Sequence, residues 1–416
     1  MIRTEFDVII IGGGPAGSSA AILLARAGWS VGLVEKQRFP RRKVCGECIA
    51  ASNLPLLDAL GVGAAIDAAA GPKLHRVALM NREDCVVAAL PAANHSRHRW
   101  GRALGRETLD TVLITQARAV GAHVMQPWSV QAIQGATGSW HAAIRSIESD
   151  DTLTLHAPVL IDAHGSWEAI RSVQPGQRRV HRAADLFAFK ANFHDATLRE
   201  GLLPVLMFDG GYGGMVLADQ GLTTLACCVR RDRLDLWRSE SSTKRVGDIV
   251  EARLRRELGG VRRTLLPATR VGAWLAAGPI DPGIRLRPED GAFRIGNAAG
   301  EAHPIIGEGM SMALQSAWLL CGHLVANRPR DAAWQRWVAA TYCAQWRRQF
   351  APRLRLANAF AQLAMRPGWS TLLMAAGRRW PELMTSGGRW SGKVRCAADQ
   401  ALIAQLNFDA IAKDMT

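Results

Sequence analysis

The 416-residue sequence predicts an α/β fold, α+β overall, in which a Rossmann-type domain holds an inserted antiparallel-sheet domain and is followed by a helical C-terminal region. Three observations predict this arrangement. A β-prone run, a glycine-rich turn and an apolar helix open the chain. From about residue 185 to residue 275, β-prone segments alternate with glycine turns. After about residue 331, helical patterns dominate.

The first elements form a βαβ unit. Residues 6–11 are a continuous β-prone run, which is typical of a buried parallel strand. Residues 15–28 have helical character and end at a glycine, and SVGLVEK supplies the second strand. Two further helices are predicted at LPLLDALGV and RETLDTVLITQARAVGA. The strand segments that follow are HVMQPWSV, GSWHAAIR and LTLHAPVLIDAHG.

The middle of the chain changes in character. LFAFKANF, PVLMFDGGYGGMVLA and LTTLACCVRR predict antiparallel strands, residues 246–258 predict a helix, and the α/β pattern returns at GAFRIGNAAG. We therefore expect the chain to leave its first domain, build a second and return. The predicted boundaries are a nucleotide-binding domain in three parts (1–75, 101–184 and 285–330), an antiparallel-sheet domain at 185–284 with an earlier segment at 76–100, and a helical region at 331–416.

The composition is strongly basic, with 51 Lys+Arg against 36 Asp+Glu and a net charge of +15. The electrostatic field of such a positive charge steers acidic partners or substrates toward a protein. A general bias of the sequence toward arginine also explains the net charge. No zinc-finger or RNA-binding signature accompanies the charge, so we expect no nucleic-acid partner and no metal site.

The sequence also predicts a cytoplasmic protein without a membrane span. No apolar run reaches the roughly 18 residues that a span needs. The start has no signal-peptide pattern, so the eight cysteines are not expected to form a disulfide framework.

Gly12, Gly14 and Gly17 have the G-x-G-x-x-G spacing directly after the first strand. In this motif the first glycine permits the tight turn, the second lets a pyrophosphate approach the backbone, and the third lets helix and strand pack closely. Glu35 ends the second strand, where a carboxylate accepts hydrogen bonds from a ribose. The motif therefore predicts a dinucleotide site. The neighbouring residues predicted to complete it are Pro15, Ala16 and Lys36.

Three motifs, GGGPAG, LIDAHGSWEAIRS and RIGNAAGEAHPIIGEG, together resemble those of the FAD-dependent monooxygenase superfamily with the para-hydroxybenzoate hydroxylase fold. That superfamily also contains geranylgeranyl reductases and flavin halogenases, and the resemblance covers about residues 1–330. It implies that FAD is the cofactor, that NAD(P)H or a separate flavin reductase supplies electrons, and that O2 is a co-substrate. The sequence has no second glycine signature of the kind that two-nucleotide reductases carry.

The resemblance also implies roles for individual residues. The three glycines and Glu35 hold the adenosine half of FAD, which makes the Rossmann-type domain the FAD domain and the inserted sheet the substrate domain. Arg106 contacts the cofactor from the start of a helix. A turn that runs from Asp162 to Gly165 lies near the flavin. The residues expected to approach the isoalloxazine ring are Pro304, Gly307, Glu308, Gly309 and Met310.

Two positions depart from the family pattern. Gly296 and Asn297 match a Gly-Asp pair that contacts the ribityl chain. The amide of Asn297 still accepts a hydrogen bond but lacks charge assistance, which makes such a bond roughly twice as strong. We therefore expect a weaker hold on FAD, and an aspartate at this position should hold FAD at least as tightly. His164 also replaces an aspartate, either as a proton-handling residue or as a backbone-paired turn residue.

The loop RRKVCGECIAAS supplies further candidates. Cys45, Gly46 and Glu47 resemble a stretch that the superfamily places beside the flavin, and Cys45 and Glu47 are therefore candidate catalytic residues. Cys48 completes a C-x-x-C spacing, which leaves a redox-active disulfide as one interpretation. The other interpretation is a small loop packed against the cofactor, with Arg42 and its basic neighbours Arg41 and Lys43 offsetting phosphate charge.

The hairpin GGYGGMVLAD matches the substrate domain of the superfamily, and its Tyr212 is expected either to line the substrate pocket or to pack on the sheet. The sequence lacks the Trp-x-Trp-x-Ile-Pro stretch of halogenases and the extra aromatic residues that geranylgeranyl reductases carry after this hairpin, which favours a hydroxylase.

The resemblance then implies hydroxylation of an electron-rich aromatic substrate through a flavin C4a-hydroperoxide. The substrate is either a polyketide-type small molecule or an acidic polypeptide, such as one with a peptidyl tryptophan in a quinone-cofactor precursor. An alkene reductase and a non-catalytic flavoprotein chaperone remain alternatives.

The tail from residue 331 holds six of the fourteen tryptophans, which predict either helix core or a lid or docking surface for an acidic macromolecule. Pro352 is expected to interrupt or start a helix. The arginines that cluster around this proline, and that would dock an acidic polypeptide, are Arg347, Arg348, Arg353 and Arg355.

Overall fold

The structure, a computed structural model, describes residues 3–166, 182–326 and 331–406. The predicted segment LIDAHGSWEAIRS is therefore described only as far as Ser166, and residues 407–416 of the predicted helical tail lie outside the described residues. The predicted fold class is confirmed, since a parallel sheet, a large mainly antiparallel sheet and a helical C-terminal region are all present. Within the described ranges, no helix is both long and apolar enough to cross a bilayer.

The α-helices of the described residues are α1 (Pro15–Arg26), α2 (Leu54–Ala59), α3 (Gly63–Ala69), α4 (Arg106–Ala119), α5 (Arg231–Ser239), α6 (Val246–Glu257), α7 (Gly259–Thr264), α8 (Gly309–Ala326), α9 (Ala332–Ala364), α10 (Pro367–Arg379), α11 (Pro381–Trp390) and α12 (Gln400–Gln405).

The strands are β1 (Val8–Ile11), β2 (Val31–Val34), β3 (Cys48–Ile49), β4 (Arg76–Asn81), β5 (Asp84–Ala89), β6 (Arg102–Ala103), β7 (His123–Met125), β8 (Trp128–Ala136), β9 (Ser139–Ser146), β10 (Thr152–Ala157), β11 (Val159–Asp162), β12 (Leu186–His194), β13 (Leu202–Phe208), β14 (Gly211–Leu217), β15 (Thr223–Arg230), β16 (Thr269–Ile280), β17 (Gly283–Ile284), β18 (Phe293–Arg294) and β19 (Gly300–Glu301).

A five-stranded parallel sheet with the order β18-β11-β1-β2-β7 forms the centre of the cofactor half. Both faces of β1 are buried, because its side chains alternate between two hydrophobic cores. Val8 and Ile10 pack in the core formed with α1, α4 and α8, and Ile9 and Ile11 pack against the antiparallel sheet β10-β9-β8. Because parallel strands end at one edge, the turns after β1, β2, β11 and β18 converge there.

The second large sheet has the order β16-β12-β15-β14-β13-β4-β5, and all of its pairs are antiparallel except β13 with β4. One face is covered by α5, α6 and α7, against which Phe189 and Phe193 pack. Tyr212 lies on the other face, in a cluster with residues of α9 and α10. The alternation of the strands thus assigns one sheet face to the helices and the other to a cavity.

Helix α9 runs without interruption through Pro352, so the prediction that this proline breaks or starts a helix is wrong. A proline in a helix removes one backbone hydrogen bond. Here the exposed proline is flanked by the buried side chains of Phe350 and Leu354, and this packing holds the helix. Of the tail tryptophans, Trp346 is fully buried whereas Trp337 is half exposed, so the core interpretation holds for only part of the set.

Candidate active site

One continuous cavity of about 1370 Å³ begins at the glycine turn after β1 and ends beneath the seven-stranded sheet. Its polar end is formed by the carboxyl edge of the parallel sheet and the loop at residues 41–48, and its apolar end by strands β4, β13, β14 and β15 with helices α9, α10 and α11. A drug-sized ligand usually occupies roughly 300–1,000 Å³. The cavity therefore has room for a large cofactor and a second molecule.

The three glycines of the first turn do not have equivalent surroundings. A Cβ at Gly12, where φ is +103°, would lie 2.5 Å from the carbonyl oxygen of Ala163, and one at Gly17 would lie 1.9 Å from the carbonyl oxygen of Gly12. At Gly14 the nearest protein atoms would be 3.7 Å away, and they are guanidinium nitrogens. Two glycines are thus required by the protein itself, whereas Gly14 opens onto the cavity.

The start of α1 is available to an anion. Pro15 occupies the first helical position, no side chain caps the helix, and its first turn holds no acidic residue. Pro15 and Ala16 line the cavity, whereas Gly17 packs behind them. Backbone N–H groups at a helix start attract phosphate groups.

The carboxylate of Glu35 is held in place at the end of β2. Its Oε2 accepts a hydrogen bond of 2.7 Å from the backbone N–H of Gly13, and its Oε1 accepts one of 2.8 Å from the N–H of Gln37. The side chain is buried at the cavity wall, next to Lys36. The carboxylate and the glycine turn therefore form one preorganised unit.

Basic side chains converge on the polar end of the cavity. Arg106 is buried and donates two hydrogen bonds of 2.7 Å to Asp110, one turn further along α4. Arg41 and Arg42 also line the cavity, and Nε of Arg41 and Nη2 of Arg42 are buried without a hydrogen-bond partner among the described residues. Unpaired buried donors are costly, so these atoms favour an anionic ligand.

Lys43 is the basic residue with the most perturbed environment in this group. Burial, together with the positive charges of Arg106 and Arg41, lowers the pKa of its ammonium group to about 8. Its Nζ lies 3.4 Å from the position that a Cβ of Gly165 would occupy, and both residues line the cavity. Lys43 thus carries a charge that titrates in the neutral to alkaline range.

The turn after β11 holds a histidine–carboxylate pair. His164 Nδ1 contacts Asp162 Oδ1, and the same oxygen accepts a hydrogen bond of 3.2 Å from the backbone N–H of His164. His164 and Gly165 line the cavity, whereas Asp162 is buried behind them. The histidine is therefore held by the neighbouring carboxylate at the cavity wall, an arrangement that is compatible with a proton-handling residue.

Asn297 acts as a donor. Its Nδ2 donates a hydrogen bond of 2.8 Å to Oγ of Ser166, whose hydroxyl in turn donates to Oε1 of Glu301 at 2.9 Å. Gly296, at φ +60°, donates its N–H to Ser316 at 2.8 Å. An ionised aspartate at 297 has no proton to donate to Ser166. Contrary to the expectation from the sequence, an aspartate at this position should therefore hold FAD less tightly.

The turn before α8 presents its backbone to the cavity. Gly307 adopts the left-handed conformation, with φ +63°, and closes the turn immediately before α8. Four of the five residues predicted here line the cavity, namely Pro304, Gly307, Gly309 and Met310. The N-terminus of α8 therefore faces the ligand space, where it stabilises negative charge.

Glu308 does not line the cavity, although it was predicted to approach the isoalloxazine ring. Its side chain is fully buried away from the cavity wall, and Oε2 lies 3.3 Å from Nη1 of Arg353. Burial raises the pKa of its carboxyl group. The same contact corrects the prediction that Arg353 docks a partner, since this guanidinium is 5% exposed, whereas Arg347, Arg348 and Arg355 are exposed.

The C-x-x-C pair consists of two free thiols. Cys45, Gly46 and Cys48 all line the cavity, and Cys48 is buried there. Burial raises the pKa of the Cys48 thiol, which disfavours the thiolate that disulfide exchange requires. Nζ of Lys393, from the C-terminal region, lies 4.0 Å from Sγ of Cys48 and 3.4 Å from the carbonyl oxygen of Gly307. The environment thus favours the packed-loop interpretation.

Glu47 joins the cofactor half to the substrate sheet. Its carboxylate pairs with Lys190 of β12, accepts a hydrogen bond of 2.6 Å from Thr224 of β15, and accepts one of 3.0 Å from the N–H of Arg106. The lysine and the glutamate are both buried, and Glu47 has φ +58°, which is unusual for a residue with a side chain. Its contacts assign Glu47 a positioning role.

Tyr212 lines the apolar end of the cavity and also packs on the sheet, so both expectations apply to it. Its hydroxyl lies 3.1 Å from Nδ1 of His303. Burial raises the pKa of Tyr212 well above its usual value and lowers the pKa of His303. At neutral pH the phenol therefore keeps its proton, and the imidazole is neutral.

Four functional residues escaped sequence reasoning. Lys190 sits within an ordinary β-strand pattern, and His303 and Ser166 belong to motifs in which other positions drew attention. Lys393 lies far along the chain from every motif. In the sequence, the only signal at Lys190 is a charged residue in an otherwise apolar strand, LFAFKANF.

The family comparison agrees with this geometry. The profile of the FAD binding domain family matches residues 5–336, which is most of the chain.

Two curated relatives illustrate the range of this likeness. Tryptophan 2-halogenase from Chondromyces crocatus is 25% identical over 335 residues, covering 76% of this chain and 60% of the halogenase. The chain thus spans less than two thirds of that relative's length. Digeranylgeranylglycerophospholipid reductase from Methanothrix thermoacetophila is 26% identical over 381 residues, covering 86% of this chain and 88% of the reductase.

Among solved structures, the myxobacterial chondrochloren halogenase matches with a TM-score of 0.74 and 19% identity, covering 99% of this chain and 97% of the halogenase. At this identity the likeness shows the shared fold alone.

Proposed function

Because the chain belongs to the FAD binding domain family, we propose that this FAD-dependent oxidoreductase is a monooxygenase that hydroxylates an electron-rich aromatic substrate. The observation that carries the proposal is the continuous cavity of about 1370 Å³, which joins a nucleotide-binding edge to an apolar chamber. One end suits a dinucleotide, and the other suits an apolar molecule held against the reactive ring of that cofactor.

The residues of the polar end fit FAD. Gly14 leaves open space at the start of α1, and the unpaired donors of Arg41 and Arg42 supply positive charge for a pyrophosphate. Glu35 would hold the ribose, and the turn at Gly307 would hold the ring beside the N-terminus of α8. When bound, FAD supplies the electron transfer and the activation of O2 that hydroxylation requires.

The protein contributes binding, orientation and exclusion of water. Residues such as Val205, Met215 and Phe360 line the far end of the cavity, and an apolar lining keeps water from the reacting atoms. Tyr212 keeps its proton on its own oxygen, hydrogen-bonded to Nδ1 of His303. We assign Tyr212 to substrate orientation and not to proton abstraction.

The same geometry favours a small aromatic molecule over a polypeptide as the substrate. The polypeptide hypothesis relied on four arginines clustered around Pro352, and one of them, Arg353, is buried against Glu308. Helices α10 and α11 form part of the cavity wall, which encloses the space opposite the sheet. A bulky polypeptide would have to displace them.

The proposal is tested by NAD(P)H oxidation. The purified flavoprotein is mixed with electron-rich aromatic compounds, in air and under nitrogen, with and without a flavin reductase. We expect oxidation that requires O2 and is stimulated by an aromatic compound. Anaerobic reduction of an alkene or quinone would assign a reductase instead, a strict requirement for halide would assign a halogenase, and the absence of turnover would favour a non-catalytic flavoprotein.

A further inference from the structure

Helices α10 and α11 expose large apolar side chains to solvent. Soluble proteins bury most such residues, and a cluster of them marks an interaction surface. On α10 the exposed positions are three residues apart and share one helix face, and on α11 they are seven apart and also share a face. We call this set the aromatic face; its members are Trp369 (50% exposed), Leu372 (58%), Trp380 (54%), Leu383 (58%) and Trp390 (73%).

The aromatic face lies within a basic segment. Between residues 366 and 395 the sequence has six basic residues and one acidic residue, Glu382. The side chains of Arg366, Arg379 and Arg389 are exposed, and Arg379 lies over the ring of Trp380 at 5.6 Å. Arg378 is paired with Asp84, so it contributes less net charge. The surface therefore combines exposed tryptophans with unneutralised arginines.

The opposite side of the same two helices lines the cavity. Leu373, Gly377 and Met384 lie on the cavity wall. Leu383 lines the cavity and is also 58% exposed, which places it at the mouth. Leu383 therefore connects the aromatic face with the apolar end of the cavity.

We propose that the aromatic face docks this protein on the surface of an anionic lipid bilayer. Tryptophan is the side chain that favours the headgroup region, and arginines beside it are attracted to anionic lipids. Bilayer contact would place the cavity mouth next to the apolar molecules that a membrane dissolves.

The experiment is co-sedimentation of the FAD-loaded protein with vesicles. One set of vesicles is phosphatidylcholine, and the other contains one phosphatidylglycerol for every two phosphatidylcholines. We expect strong binding only to the anionic vesicles. The triple variant Trp369→Gln, Leu372→Gln, Trp390→Gln should bind them at least about tenfold more weakly, and so should Arg366→Gln, Arg379→Gln, Arg389→Gln.

Matched controls lie on other surfaces. Ile147→Gln, Leu266→Gln, Trp337→Gln removes three exposed apolar residues, and Arg199→Gln, Lys244→Gln, Arg245→Gln removes three exposed positive charges that have no ion pair among the described residues. Both controls should bind as the parent does. Flavin content and NAD(P)H oxidation with a dissolved substrate are measured for every variant, so that failure of docking is separated from failure of the monooxygenase proposal.

Three results would overturn the proposal. The first is equal vesicle binding by the parent and both face variants. The second is a dimer of the parent in solution that the apolar variant dissociates, since a second copy would then cover the face. The third is binding of an acidic polypeptide, without vesicle binding, that requires the same arginines.

Discussion

At the scale of single residues, the polar end of the cavity contains two kinds of residue. Some are required by the fold itself, and others are required only by a ligand. Gly12 and Gly17 leave no room for a Cβ, whereas Gly14 does. The spacing of the three glycines was readable from the sequence, and it indicated that Gly14 faces the ligand. The atoms that crowd Gly12 and Gly17 were not readable, because Ala163, which lies against Gly12, belongs to the distant turn after β11. The same holds for Asn297, whose partner Ser166 lies more than a hundred residues away.

Gly14→Val should yield a folded protein without bound flavin, because the added methyl groups fill the space open to a pyrophosphate. Gly17→Ala should instead destabilise the fold by about 1–3 kcal/mol, since its Cβ would lie 1.9 Å from a backbone oxygen. Flavin absorbance and urea unfolding separate the two effects. Full flavin absorbance in the Gly14 variant would contradict the assignment of the site.

Asn297→Asp should retain FAD less well, by about 1 kcal/mol or roughly fivefold in Kd, because the hydrogen bond to Ser166 is lost and a second carboxylate is placed near Glu301. Titration of the apoprotein with FAD measures the change. In a Ser166→Ala background the substitution should have little further effect. Tighter binding by the aspartate variant would show that the family's usual pairing applies here.

Lys43 predicts a pH dependence of FAD binding. Burial and the neighbouring arginines lower its pKa to about 8, and a neighbouring pyrophosphate would raise it. Binding then takes up a proton, so the affinity for FAD should fall as pH rises above about 8, by up to about tenfold per pH unit. Lys43→Met should bind FAD more weakly but with a flat profile from pH 7.5 to pH 9.5. A sloping profile in this variant would assign the titration to another group.

At the scale of elements, local patterns predicted most helices and strands, and long-range packing decided the exceptions. The first βαβ unit and α4 follow from periodicity and glycine placement within about 30 residues. Helix α9 continues through Pro352 because buried neighbours on both sides hold it in the core. Buried charge pairs such as Glu308 with Arg353 join positions 45 residues apart, which spacing along one sequence does not indicate.

The Glu47–Lys190 pair joins the cofactor half to the substrate sheet, so breaking it should lower the stability of the protein. Lys190→Met leaves a buried carboxylate without its cation and should lower the free energy of unfolding by about 3–5 kcal/mol. Glu47→Gln should have a similar cost, and the double variant should lose clearly less than the sum of the two. Urea unfolding at saturating FAD provides the values. Strict additivity would show that the two side chains act independently.

At the scale of the whole molecule, two sheets of different construction meet around one cavity. The parallel sheet supplies the turns that hold a dinucleotide, the seven-stranded sheet supplies an apolar wall, and the C-terminal helices close the space opposite that wall. The sequence predicted the first two parts from motifs. For the tail it offered a lid as one alternative, but it did not indicate that α10 and α11 in particular line the cavity, since their helical pattern does not show what they face.

The central claim is that this protein, with FAD bound in the cavity, transfers an oxygen atom from O2 to an aromatic ring. The most direct measurement is mass analysis of the product formed from ¹⁸O2 and an aromatic compound that stimulates NAD(P)H oxidation. We predict a product heavier by one ¹⁸O atom, formed in proportion to the NAD(P)H consumed in coupled turnover. A product without the label, or one formed equally well in the absence of O2, would contradict the account.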